Sequence, residues 1–154
     1  MIRDRQNTFS NDQAITSTAL STNVIDLGPF SAGNLIRDIA AGEPLYLHIL
    51  VKTSFVTGGS ATLTVTLESD SDTGLSTSVT THMTVATGVT AANLAAGTWI
   101  AKGVPIPSGA FERYLGVRYT ANVSTFSAGA VDAWISNNRF DDRTYKSGFT
   151  TGVN

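Results

Sequence analysis

The strongest signal in the chain is a two-residue alternation of apolar and polar side chains. Over 61–68, Ala61, Leu63, Val65 and Leu67 share one parity, and Thr62, Thr64, Thr66 and Glu68 the other. Successive side chains of an extended strand point to opposite faces, so this pattern predicts a half-buried strand of an antiparallel sheet. Leu45, Leu47, Ile49 and Val51 repeat it, with Tyr46, His48, Leu50 and Lys52 on the other face. Leu115, Val117 and Tyr119 alternate with Tyr114, Gly116 and Arg118, and Val131, Ala133 and Ile135 with Asp132 and Trp134. Weaker strands are expected at 78–86 and 98–106, where Pro105 and Pro107 confine the end of the second to a sheet edge. The Thr- and Ile-rich run 14–27, ended by Gly28-Pro29, supplies one or two more. Helical periodicity is almost absent. Leu35–Ala40 suits a single turn within the connection 28–44, and Ala91–Ala96 a short helix closed by Gly97.

Seven or eight strands at this spacing predict an all-β fold, an antiparallel β-sandwich of jelly-roll type over residues 14–136. Its core is expected to hold Leu47, Ile49, Leu63, Val65, Leu67, Leu115, Val117, Val131 and Ile135. Outside it the alternation fades into polar sequence. Residues 1–13 read as an extended N-terminal arm and 137–154 as an extended C-terminal arm. Isolated aromatics in such arms, Phe9, Phe140, Tyr145 and Phe149, are expected to anchor in pockets of a neighbouring protein. Arg3, Arg5, Arg139 and Arg143 would add hydrogen bonds at the rim.

Composition narrows the function. Charged residues are 14% of the chain, against about a quarter in an average domain. Their place is taken by 22 Thr and 15 Ser, residues that suit pleated strands and turns. A net charge of -2 gives no electrostatic basis for binding nucleic acid or an anionic membrane, so neither is an expected partner. The absence of cysteine removes disulfides, thiol catalysis and thiolate metal sites. No apolar run reaches membrane-spanning length, and no apolar segment after Met1–Gln6 marks a signal peptide.

The search for chemistry returns little. His48 and His82 stand alone, without carboxylates at metal-ligand spacing, and His48 reads as a surface or interface side chain. Asp70-Ser71-Asp72-Thr73-Gly74 fails as a calcium loop, because the glycine comes one position early and Thr81 stands where a bidentate Glu belongs. It reads as a solvated turn. Asp141-Asp142, flanked by Arg139 and Arg143, suits local ion pairing rather than acid–base work. Neither Gly-x-Ser-x-Gly nor a phosphate-binding glycine loop occurs. No catalytic residue, cofactor or metal is expected. Trp99, Trp134, Tyr114 and Tyr119 suit core packing, with a sugar-binding platform as the alternative.

Several ordered segments resemble the jelly-roll cement (decoration) proteins of tailed, short-tailed bacteriophages. They are Asn7-Thr8-Phe9-Ser10 with Asp12-Gln13-Ala14-Ile15, and Ser21-Thr22-Asn23-Val24-Ile25-Asp26-Leu27-Gly28. Ala41-Gly42-Glu43-Pro44-Leu45-Tyr46-Leu47 and Glu112-Arg113-Tyr114-Leu115 complete them, with Tyr145 and Ser147-Gly148-Phe149-Thr150 at the end. Between Leu27 and Gly42 the chain, with Phe30, Leu35 and Ile36, is longer and more apolar than that pattern. The resemblance implies a non-enzymatic virion protein, made in the host cytoplasm, that clamps major capsid proteins on the outer surface of the head as a homodimer. A virion-surface carbohydrate- or receptor-binding module of the same fold is the alternative.

Overall fold

The computed structural model describes residues 5–28, 42 and 44–139, together with the backbone of two short strands between 30 and 35. A 3-10 turn at Arg5–Asn7 leads into β1 (Thr8–Ala14), which precedes the two-residue strands β2 (Ala19–Leu20) and β3 (Ile25–Asp26). A small hairpin of β4 (Phe30–Ser31) and β5 (Asn34–Leu35) precedes the long strands. These are β6 (Tyr46–Val56), β7 (Thr62–Asp70), β8 (Thr80–Thr90), β9 (Trp99–Pro105), β10 (Tyr114–Asn122) and β11 (Ala128–Ser136).

One sheet runs β1-β11-β6-β9, the other β2-β10-β7-β8 with β3 also on β10. All neighbours are antiparallel. With β2 and β3 counted as one interrupted strand, eight strands cross between two four-stranded sheets, which is the jelly roll. Alternation explains the core. Leu47, Ile49, Leu63, Val65, Leu67, Leu115, Val117, Val131 and Ile135 are all buried between the sheets, as the strand parity predicts. Phe9, Ile25, Tyr119 and the edge-on pair Phe55–Phe126 extend the core toward its ends.

Three expectations need correction. Residues 8–13 are not an arm: β1 is the edge strand of the first sheet, paired with β11, and Phe9 is 0% exposed within the core. The strand is hidden in the sequence by a bulge. Between Ser10 and Gln13 the register shifts by one, Asp12 takes a positive φ of 50°, and its N–H donates to the Asp132 carboxylate at 2.7 Å. A bulge inverts the parity of the residues after it, so Ser10 and Gln13, of opposite parity, both point inward. A further shift between Thr8 and Ser10 buries the adjacent Phe9 and Ser10 together, and no alternation survives. The sandwich therefore begins before residue 14. Second, the helix expected over 91–96 is only the 3-10 turn Ala91–Asn93. Third, β8 runs to Thr90 rather than ending at 86. The helical turn expected at Leu35–Ala40 lies largely outside the described residues.

These positions fix what single substitutions do. Leu63→Ala and Leu67→Ala should each cost about 2–5 kcal/mol, and Phe9→Ala about 3–5 kcal/mol. Urea unfolding of the three variants checks this. A Phe9→Ala protein as stable as the parent would return Phe9 to an arm.

Candidate functional site

Three of the segments that carry the family resemblance, 7–15, 21–28 and 112–115, come together at one edge of the sandwich. Leu45–Leu47 instead lead into the central strand β6, and Tyr145 and 147–150 lie outside the described residues. Ala19 and Leu20 pair with Tyr119 and Arg118, while Ile25 and Asp26 pair with Leu115 and Tyr114. Between those two pairings the chain leans away from β10 toward β1. The Thr22 N–H donates to Gln13 Oε1 at 2.9 Å and the Asn23 N–H to the Phe9 carbonyl at 2.9 Å. Asn23 Nδ2 adds a bond to the Thr8 carbonyl at 2.7 Å. Arg113 then forks onto Asp26 with bonds of 3.0 and 2.9 Å, and its hydrogen bonds hold the Asp26 carboxyl below its ordinary value. Residues 20–28 thus form a strap that spans both sheets. Beside it lies an open groove of about 1430 Å³, lined by Arg5, Thr8, Asn11, Asn23, Val24 and Asp26 among others.

Of the eight residues expected at an interface, three are described. Phe9 is core. Arg5 is exposed at the mouth of that groove. Arg139 is exposed where the chain leaving β11 crosses β9. A Cβ at Gly103 would overlap the Arg139 carbonyl oxygen, so the crossing requires glycine there, in its positive-φ conformation of 63°. Arg3, Phe140, Arg143, Tyr145 and Phe149 lie outside the described residues.

The same crossing is clasped by His48, which is not a surface residue. It is 0% exposed on the outer face of the first sheet, stacked on Trp134 at 5.3 Å and 18° with Trp99 edge-on at 6.3 Å. Its Nδ1 accepts the Gly103 N–H at 3.1 Å. Nδ1 therefore carries no proton, and Nε2–H donates to the Asn138 carbonyl at 2.9 Å. Parity of the strands places His48 and Trp134 on outward faces. Their contact depends on the pairing of His48 with Trp134 across β6 and β11, which one strand's sequence does not contain.

Of the four aromatics weighed as a platform, Trp99 and Trp134 meet edge-on at 5.8 Å on the first sheet, while Tyr114 and Tyr119 belong to the second. Tyr119 is in the core, Trp134 is under His48, Trp99 is 38% exposed, and Tyr114 lies beneath the Arg113 guanidinium. Core packing describes Tyr119 alone. Trp134 is buried on the outer face of a sheet rather than between the sheets.

Two polar clusters escape the sequence reading. Asp70 is fully buried, and its carboxylate collects N–H donors from Asp72, Thr77 and Ser78. Burial pushes this carboxyl up, but those donors outweigh it and hold it below the ordinary value. The motif is a turn, as expected, with its first residue inside rather than solvated. Ser69 Oγ lies 2.7 Å from His82 Nε2 and also accepts the Glu112 N–H at 3.0 Å. Ser69 is 0% exposed and Glu112 bonds Thr80, so this pair ties β7, β8 and the loop before β10 together and offers no open nucleophile. Among the described residues no three His, Asp or Glu side chains converge as a metal site requires.

Burial lowers both histidines from the ordinary 6.5, opposed at His48 by the Asn138 carbonyl and at His82 by the Glu112 carboxylate. The unfolded chain therefore binds protons more readily. The stability tied to neutral His48 and His82 is complete above about pH 6.5 and is lost as pH falls through that value toward the lower folded values. The melting temperature should accordingly fall between pH 7.5 and 5, and less so in His48→Gln. Thermal melts across that range check this; a flat profile contradicts it.

Comparison with curated proteins returns no match to this chain. A family model described as Bbp16 matches residues 9–135, a span that runs from β1 to the last strand. The match starts at the buried Phe9 and ends at the buried Ile135, so it covers the jelly roll almost entire. The chain belongs to the Bbp16 family, whose label points to a phage-related group.

Proposed function

We propose that this protein is a non-enzymatic capsid cement protein, bound to the outer surface of a phage head, where it stabilises contacts between major capsid proteins. The observation that carries the reading is the ordered set of cement-protein segments from Asn7 to Leu115, within a chain of a phage-related family. The build of the molecule supports it. The polar clusters inside it satisfy one another, as at Asp70 and at Ser69–His82, and the described groove at the strap is open and mixes apolar side chains such as Val24 with polar ones such as Thr8, Asn11 and Asn23. Such a surface suits protein contact better than a reaction.

Attachment in this reading falls to surface other than β1. Arg5 and Arg139 remain as exposed rim groups, and the C-terminal segment beyond Arg139 carries Phe140, Tyr145 and Phe149 as anchors. The protein acts as a homodimer, with the major capsid protein as its partner and neither nucleic acid nor membrane involved. It is made in the host cytoplasm and resides on the virion. The carbohydrate-binding alternative is less well supported, because Trp99, Trp134, Tyr114 and Tyr119 form no common platform.

Capsids lacking the protein should break at lower temperature and pressure than capsids carrying it, with robustness restored by adding it back. Deleting 140–154 should reduce shell binding steeply, whereas deleting 1–13 removes most of β1 and should unfold the sandwich first. Capsids of equal robustness with and without the protein would overturn the reading.

A further inference from the structure

Among the described residues, charge is segregated along the strand axis. Four loops meet at the end of the sandwich remote from the strap: 15–18, 57–61, 91–98 and 123–127. Their sequences are Ile-Thr-Ser-Thr, Thr-Gly-Gly-Ser-Ala, Ala-Ala-Asn-Leu-Ala-Ala-Gly-Thr and Val-Ser-Thr-Phe-Ser, and none holds Asp, Glu, Lys or Arg. The opposite end carries Arg5, Asp26, Asp72, Glu112, Arg113 and Arg139. Charge is depleted at the centres of protein interfaces, and a whole uncharged end is unusual for a surface left in water.

Val123 stands at the tip of this end. Its φ is +70° and the Ser124 N–H donates to the Asn122 carbonyl at 2.8 Å, which makes a γ-turn of the rare left-handed kind. A β-branched residue is poorly suited to that conformation, and here it holds an apolar side chain 84% exposed. Val56, at the end of β6, is 51% exposed. The platform beneath them is tied down. Phe126 N–H donates to the Thr16 carbonyl, Ser127 N–H to Val56, Phe55 N–H to Leu94, and Thr57 Oγ1 to Thr125. Phe55 and Phe126 meet edge-on at 4.9 Å underneath. A surface ordered in advance loses little entropy on docking.

We propose that this uncharged end, centred on Val123 and Val56, is where the protein binds a second copy of itself. A two-fold contact sets residues on the axis against their own copies, so a charge at the centre of the patch would face a like charge. Among the described residues this end has none to face. Two sheets about 10 Å apart and four strands wide present roughly 400–500 Å² with their loops. That is below the ~800 Å² per partner of a standard stable interface, so the dimer is weak and concentration-dependent in solution. It fills when copies are held close together, as on a shell. The proposal locates the self-association contained in the cement reading and can fail without it.

Sedimentation equilibrium of the full chain over a concentration series tests it, beside a separate capsid-binding assay of the same protein. The parent should show a reversible dimer. Val123→Asp should fold with an unchanged melting curve, because Asp tolerates positive φ, and should dissociate at least tenfold more readily. Val123→Lys should do the same, and an equal mixture of the Asp and Lys variants should recover the dimer. A dimer that survives in a Val56→Asp, Val123→Asp double variant would overturn the proposal. So would a parent monomeric at every concentration, whatever its capsid binding, and so would a mixture that stays monomeric. Loss of capsid binding in Val123→Asp from a monomeric parent would assign this end to a different protein.

Discussion

The amide of Gln13 holds the two sheets together at the edge where the chain first crosses between them. Its Oε1 accepts the Ser10 hydroxyl at 2.7 Å and the Thr22 N–H at 2.9 Å, and its Nε2 donates to the Leu20 carbonyl at 2.8 Å. Ser10 Oγ in turn lies 2.9 Å from the Tyr119 hydroxyl on β10. Since Ser10 gives its proton to Gln13, Tyr119 donates to Ser10, and burial pushes its phenol far above the ordinary value. One buried amide thus links β1 in one sheet, the strap, and β10 in the other. A half-satisfied network of this kind would be worse than an apolar one, which makes every member of it necessary to the rest.

That node explains why the most family-like residues lie where they do. Gln13, the run Ser21–Leu27 and Arg113 act on one another, through the strap bonds, the Leu27 N–H to Arg113 carbonyl bond at 2.8 Å, and the Arg113–Asp26 fork. In this chain they close the jelly roll. Resemblance at such positions identifies a way of folding, because these side chains are occupied with one another inside the chain. Contact with a partner must be sought on the groove side of the strap, beyond Arg139, or at the uncharged end.

The legible part of the sequence is the part with regular parity. Strands β6, β7, β10 and β11 alternate cleanly, and every core residue read from them is buried. β1 is illegible because its inward positions include Ser10 and Gln13, polar groups whose burial depends on partners far along the chain. With the bulge at Asp12 breaking the period, Phe9 reads as a lone aromatic in a polar arm. His48 and Trp134 show a different limit. Their outward parity is readable, but being outward on a sheet means exposure only where nothing crosses that face, and here Ser136–Arg139 turns back over it. The missing information is tertiary in each case.

Closure of the jelly roll requires that the strap be part of the folded body. Amide hydrogen exchange at Thr22 and Asn23 measures this directly, because their N–H groups end on Gln13 Oε1 and the Phe9 carbonyl. A strap integral to the sandwich predicts that both amides exchange only through global unfolding, as slowly as those in the centre of β10. Exchange at the rate of an open loop, with β10 still protected, would show instead that residues 1–24 hang from the sandwich as an arm and that the closure described here is wrong.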